Sequence, residues 1–264
     1  MQNPYDAAAP YSDFVYERCF GRQREVINQQ LVRLIDGLLQ RGSHILEVGA
    51  GTGRLTIPLA RAGHRVTAID QSKGMVEELK SKVEACPSEV AGEIVIHHER
   101  IENFLQGSAR LRYDLMVCVY AVLNHLLKVE NIEQFCERAF KRLKLRRYLL
   151  LGLTTQPVAR HQTFSFNDLH REIALEPLGE LRYRRIDHCE GTPLGESFKY
   201  LESLEVCVWD DAVIMGNLRR VGFHEWNAGA DALARMDAKC LLFRKLSRRD
   251  EEKMYESEML KEVY

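Results

Sequence analysis

The chain has 264 residues, 45% hydrophobic and 28% charged, with a formal net charge of −1. That length buries one large core with an elaborated cap, the composition is that of an ordinary globular protein, and the balanced charge excludes a general pull toward nucleic acid or anionic membrane. Seven cysteines without a CxxC pair argue against a zinc cage and a disulfide scaffold, so no metal is expected. The first residues, "MQNPYDAAAPYSDF", combine no basic region with an apolar core as a signal peptide would, and the longest apolar stretch, "LMVCVYAVL", is too short to span a bilayer. The expectation is a cytoplasmic, reduced protein.

In chain order, Ile27, Leu31, Leu34, Ile35 and Leu38 recur at helical spacing between Gln23 and Gln40. "HILEV" (44–48) is a buried strand, and "RLTIPLARAG" reads as a helix closed by Gly63. "RVTAID" (65–70) is a second strand. Ser72 caps a helix carrying Met75, Val76, Leu79 and Val83 on one face, and Pro87 marks its end. "EIVIH" (93–97), "DLMVCV" (114–119) and "RYLLLGL" (147–153) are further strands, with a helix on Ile132, Phe135, Cys136, Ala139, Phe140 and Leu143 before the last. The basic run "KRLKLRR" (141–147) suits the end of that helix. Five strands alternating with helices predict an α/β fold with a parallel sheet.

Beyond Leu153 the pattern changes. "LRYRRIDH" and "ESFKYLESLEVCV" flank the turn-rich "CEGTPLG" and predict an antiparallel hairpin over 181–208, with His161 on a loop before it. A helix at 211–220, then "GFHEW" and "AKCLLFRKL", complete the sheet with a final hairpin. The charged tail, 247–264, reads as a solvated helix. One domain is expected over 1–264, with a helical cap at 1–40 and a lid-like insertion at 155–208.

Within this pattern, "EVGAGTGR" ends the first strand, where an open parallel sheet binds ligands. No Lys-Ser/Thr follows the glycines, so this is not a phosphate loop. The spacing is GxGxG rather than GxGxxG, and Glu47 precedes the first glycine by two residues. A carboxylate there repels a pyrophosphate and suits a cationic ligand. Asp70 ends the second strand, in reach of ribose hydroxyls.

"ExGxGxG" at 47–53 and "ID-S--M" at 69–75 resemble the class I S-adenosylmethionine-dependent methyltransferases, over roughly residues 20–245. The resemblance implies a doubly wound, seven-stranded, mostly parallel sheet with the last strand antiparallel, and S-adenosylmethionine as cofactor. It places Gly49 and Gly51 beneath the cofactor, Glu47 toward its amine, Asp70 on the ribose, and Gln71 and Met75 beside ribose and adenine. In "ERIENF" (99–104), Ile101 and Glu102 face adenine, although Arg100 stands where the family has aspartate. Val119, ending the fourth strand, and Arg24, which pairs with the cofactor carboxylate in some relatives, complete this set.

No Asn/Asp-Pro-Pro-aromatic box follows the fourth strand, which counts against DNA bases. "VYAVLNHLL" instead resembles the small-molecule N-methyltransferases of the glycine and amino-sugar type. In these, a histidine faces the transfer site under an N-terminal tyrosine, which implies His125 with Tyr11, or Tyr16 as the alternative. The inserted hairpin falls where relatives build a substrate lid or a homodimer contact. The expected function is methyl transfer to nitrogen or oxygen of a small molecule. A cofactor-binding sensor without catalysis, and an RNA or protein methyltransferase, are the competing readings.

Overall fold

The computed structural model describes residues 3–107, 111–153, 159–226 and 239–247. The chain opens with two 3-10 turns, Pro4–Asp6 and Ala9–Tyr11, and then α1 (Ser12–Leu38). The alternating part follows: β1 (His44–Val48), α2 (Thr56–Arg61), β2 (Arg65–Asp70), α3 (Lys73–Glu84), α4 (Ser88–Ala91), β3 (Ile94–His98), α5 (Ile101–Gln106) and β4 (Tyr113–Cys118). A 3-10 turn, Val122–His125, leads to α6 (Val129–Arg142) and β5 (Leu143–Leu153). Four strands come next, β6 (His161–Phe166), β7 (Leu169–Pro177), β8 (Arg182–Gly191) and β9 (Phe198–Cys207). The chain returns through α7 (Asp211–Arg220), β10 (Phe223–Glu225) and β11 (Lys239–Lys245).

The main sheet runs β10-β11-β5-β4-β1-β2-β3. β1 to β5 pair in parallel, and β11 is antiparallel to both its neighbours. Because β1 lies between β2 and β4, the chain winds outward in both directions from it, and a crevice opens at the carboxyl ends of β1 and β4. Period-two burial divides the core in two. Leu46, Val48, Met116, Cys118, Leu149 and Leu151 meet α6 and α7 on one face. Ile45, Leu115, Val117 and Leu150 meet Ile27, Leu31 and Ile35 of α1 and Leu59 of α2 on the other. The basic end of α6 does more than complement a dipole: buried Arg142 donates to the carbonyls of Phe104 (2.9 Å) and Gly107 (2.6 Å), tying down the end of α5. No described helix is long and apolar enough to cross a membrane.

Three expectations are revised. α1 begins at Ser12, well before Gln23, and bends at Gly21, whose φ of +49° is open to glycine at little cost. The hairpin over 181–208 is β8 and β9, but β6 and β7 extend it to a separate antiparallel sheet of order β6-β7-β8-β9. His161 therefore opens a strand, on exposed surface, rather than lying on a loop. The first segment of α1 packs on this second sheet, Val15 and Phe14 meeting Phe198 and Tyr200. The expected tail helix, 247–264, lies outside the described residues but for Ser247.

Candidate functional site

The three glycines bring backbone to the crevice. Gly49 has φ +73°, and a Cβ on it would sit 2.4 Å from Val122 Cγ2, so only glycine fits between β1 and the turn after β4. The Gly49 and Ala50 N–H groups donate to the Ile69 carbonyl (2.9 and 3.1 Å), which locks this loop to β2. The Gly51 N–H donates to one oxygen of Asp70 (2.8 Å) and the Ser72 N–H to the other (2.9 Å). Asp70 is thus held rigid at the end of β2; burial raises its pKa and these bonds oppose the rise.

Glu47 is 4% exposed. It accepts a hydrogen bond from Thr56 Oγ1 (2.5 Å), yet burial pushes its pKa up to about 7. Glu47 and Asp70 form no ion pair among the described residues. A cavity of about 210 Å³ opens over both acids and runs past Met75 and Ile101 to His125. Gln71 and Glu102 also line it. Ile101 is the first residue of α5, where N–H groups have no intrahelical acceptor. Arg100 also lines the cavity, with most of its side chain exposed, and bonds Glu102 Oε1 at 3.2 Å. Val119 is in the core beneath, 4% exposed and packed with Val117 and Leu150 rather than lining the cavity. The side chain of Arg24 lies outside the described residues.

The N-terminal turns form a strap across this cleft. Asp6 accepts from Ser72 Oγ (2.7 Å) and from the Gly74 N–H (3.0 Å), so the strap is pinned to the start of α3. Tyr5, the residue before, meets His125 with its hydroxyl 3.3 Å from Nε2 and the rings edge to face. The tyrosine beside the histidine is therefore Tyr5. Tyr11 instead stacks on Phe198, centroids 4.1 Å apart, and Tyr16 lies beneath Arg54. Burial, with Arg185 and Arg100 nearby, lowers His125 to about 4, and burial raises Tyr5 to about 12. Both are neutral at pH 7.

A second cavity, about 310 Å³, lies between the strap and the inner face of the antiparallel sheet, and it shares Tyr5, Arg54, Met75 and Tyr120 with the first. Asp187 and Glu202 are cross-strand partners on that face. Asp187 takes two bonds from Arg171 (3.0 and 2.6 Å) and a third from Arg185, which together hold its pKa down. Glu202 remains 3.8 Å from Arg185 Nη1, too far to bond. Burial raises it to about 7, and both Glu202 Oε1 and Arg185 Nη1 are buried without hydrogen-bond partners. The sequence carried a sign of this: Arg185, Asp187, Tyr200 and Glu202 fall on the alternating positions that should be apolar in a strand facing a core.

Residues 45–145 match the family model described as Methyltransferase domain. A protein of Geobacillus sp. (strain WCH70) that carries a methyltransferase name is 28% identical over 137 residues, 50% of this chain and 48% of that protein. The match thus spans about half the length of that curated relative. An S-adenosylmethionine-dependent methyltransferase from Clostridium acetobutylicum ATCC 824 has a similar structure, with TM-score 0.69 and 12% identity, covering 90% of this chain and 99% of that one. The sugar N-methyltransferase KedS8 from Streptoalloteichus sp ATCC 53650 gives 0.67 and 12%, covering 90% and 93%. Residues 45–145 are thus similar to methyltransferase domains, and the fold is the Rossmann-like fold of S-adenosylmethionine-dependent methyltransferases.

Proposed function

Proceeding from that domain, we propose that the protein transfers a methyl group from S-adenosylmethionine to nitrogen or oxygen of a small molecule held against the antiparallel sheet. The carrying observation is the pair of acids without an ion-pair partner among the described residues, Glu47 buried and Asp70 half-buried, at the ends of adjacent strands beside a bare glycine backbone. Such acids are costly unless a ligand compensates them. Glu47 fits an ammonium and Asp70, with its carboxylate already oriented, fits ribose hydroxyls; Met75, Ile101 and Glu102 fit the adenine end.

When bound, the cofactor supplies an electrophilic methyl on a sulfonium. The protein's part is to bring a lone pair into line with it and to exclude water. Tyr5, which lines both cavities, and His125, which lines the first, stand together as a neutral couple. A histidine held near 4 is a poor store for a proton, so His125 accepts a hydrogen bond from the acceptor and orients it, rather than acting as a strong base. Glu202 and Arg185 offer the acceptor one unfilled acceptor atom and one unfilled donor.

Calorimetric titration should show S-adenosylmethionine and S-adenosylhomocysteine binding and no response to NAD. Methyl transfer from labelled cofactor is then screened over amines and hydroxyl compounds. His125→Ala should slow single-turnover transfer by about tenfold to a hundredfold with cofactor affinity unchanged. NAD binding without S-adenosylmethionine binding would end this reading, and tight cofactor binding with no transfer to any acceptor would favour a sensor.

A further inference from the structure

The inner face of the antiparallel sheet gathers four charged side chains on one cavity: Arg171 of β7, Arg185 and Asp187 of β8, and Glu202 of β9. Asp187 is fully engaged, since both arginines donate to it. Glu202 is not. It is 3% exposed, Arg185 approaches it only to 3.8 Å, and its Oε1 has no hydrogen-bond partner. Arg185 Nη1 is buried and likewise unmatched. Native proteins leave few such atoms, because each has lost its water without gaining a partner. Here an unfilled acceptor and an unfilled donor stand together on a cavity of about 310 Å³, whose other walls include the rings of Tyr5, Tyr16 and Phe20.

Resting on the acceptor site proposed above, we propose that Glu202 and Arg185 select an uncharged methyl acceptor, one that presents a hydrogen-bond donor beside an acceptor as a carboxamide does. The bonding capacity of each group decides the class. A carboxylate only accepts, so it satisfies Arg185 and meets Glu202 with a like charge. An amidinium only donates, so it satisfies Glu202, leaves Arg185 Nη1 empty and faces two arginines. A carboxamide fills both. The charge sum agrees: two arginines balance two carboxylates, and only a neutral guest leaves this dry face without excess charge. The aromatic walls suit a flat apolar body. Burial raises Glu202 to about 7, and a ligand that donates to it favours its ionised form. Facing it are Arg185 and Asp187 from β8, Arg171 from β7, Tyr200 on its own strand, Tyr5 from the strap, Tyr16 from α1, and Arg54. Asp187 is held low, Tyr5 and Tyr200 are held high, and arginines stay charged, so the change of charge near pH 7 on this face belongs to Glu202.

The test holds shape constant and varies charge. Para-aminobenzamide, para-aminobenzoate and para-aminobenzamidine share one ring and one amine, and are neutral, anionic and cationic throughout pH 6 to 8. Each is titrated into wild type and Glu202→Gln saturated with S-adenosylhomocysteine, and ligand-observed NMR gives the dissociation constants. Wild type at pH 8 should bind the amide roughly tenfold or more tighter than either charged probe, the scale of one buried partner left unmatched. From pH 6 to pH 8 its preference for amide over benzoate should widen by about threefold or more, because protonated Glu202 donates to a carboxylate and ionised Glu202 repels it. Glu202→Gln, uncharged at every pH, should bind amide and benzoate within about threefold of each other and lose the pH effect. Wild type binding a charged probe as tightly as the amide overturns the proposal, as does undiminished preference in Glu202→Gln. If that variant does not fold, the wild-type pH dependence decides, and a flat profile overturns the proposal. Binding of S-adenosylhomocysteine with no probe bound overturns this proposal alone, whereas failure to bind S-adenosylhomocysteine overturns the reading beneath it.

Discussion

Replacing Glu47 by glutamine should stabilise the protein and damage its ligand binding at once. The carboxyl is 4% exposed, and burial raises its pKa from 4.5 to about 7. That rise corresponds to about 3 kcal/mol. Because the folded value lies above the unfolded one, the stability it represents is fully present below about pH 4.5 and is lost as pH rises to about 7. At pH 8 the wild type carries an ionised, unpaired carboxylate, and Glu47→Gln removes that burden while keeping an oxygen for Thr56. The variant should be more stable by about 2–3 kcal/mol at pH 8 and by under about 1 kcal/mol at pH 5. Melting temperatures should therefore differ by about 5–10 °C at pH 8 and by a few degrees at most at pH 5. Binding moves the other way: S-adenosylhomocysteine should lose about tenfold to a hundredfold in affinity. In the wild type its affinity should rise with pH through about 7, as the ammonium draws the carboxylate into its charged form. Paired melts at the two pH values and titration of each protein decide the matter. An equal difference at both pH values, or none, would refute the burial argument.

Gly49→Ala should abolish cofactor binding and lower the melting temperature, since the new methyl meets Val122 at 2.4 Å in a backbone of φ +73°; the expected loss is at least about 1–3 kcal/mol, and calorimetry with melting checks it. Asp187→Asn should destabilise by about 3–5 kcal/mol, because Asp187 neutralises Arg171 and Arg185 in a 1%-exposed position; denaturant unfolding reads this directly. Tyr5→Phe should leave the fold intact and slow methyl transfer by less than His125→Ala, because it removes a hydroxyl and keeps the ring against the histidine; single-turnover rates rank the two variants.

The parallel sheet was legible because its strands carry apolar runs, ended at β1 by a glycine and at β2 by an acid, and burial on both faces leaves such runs little freedom. Ser72 announced the start of α3, and its Oγ does accept from the Met75 N–H. β6 and β7 were not legible. "HQTFSF" and "LHREIALE" mix polar and apolar residues on both faces, because one face lines a polar cavity and the other meets water. The Asn167-Asp168 pair between them was the available turn signal. In the site, glycines and acids could be read because their chemistry is local to one loop. Tyr5 could not be chosen over Tyr11 or Tyr16, since three tyrosines within twelve residues differ only in where two 3-10 turns aim them. Arg54 was adjacent to the motif, but the Tyr16 and Tyr120 rings beside its guanidinium are brought there by the fold alone.

The bond between Asp6 and the start of α3 makes the first residues of the chain part of the ligand's thermodynamics. Ser72 donates its hydroxyl hydrogen to Asp6 and its backbone N–H to Asp70, so the strap and the acid proposed for the ribose share one residue. Whatever steadies Asp70 steadies the anchorage of the strap, and a docked strap favours the arrangement of Asp70 that a ribose needs. Such coupling is reciprocal: the chain beginning should resist proteolysis more when S-adenosylhomocysteine is bound, and cutting Asp6 loose by Asp6→Ala should weaken the nucleoside by the same factor that the nucleoside protects the strap.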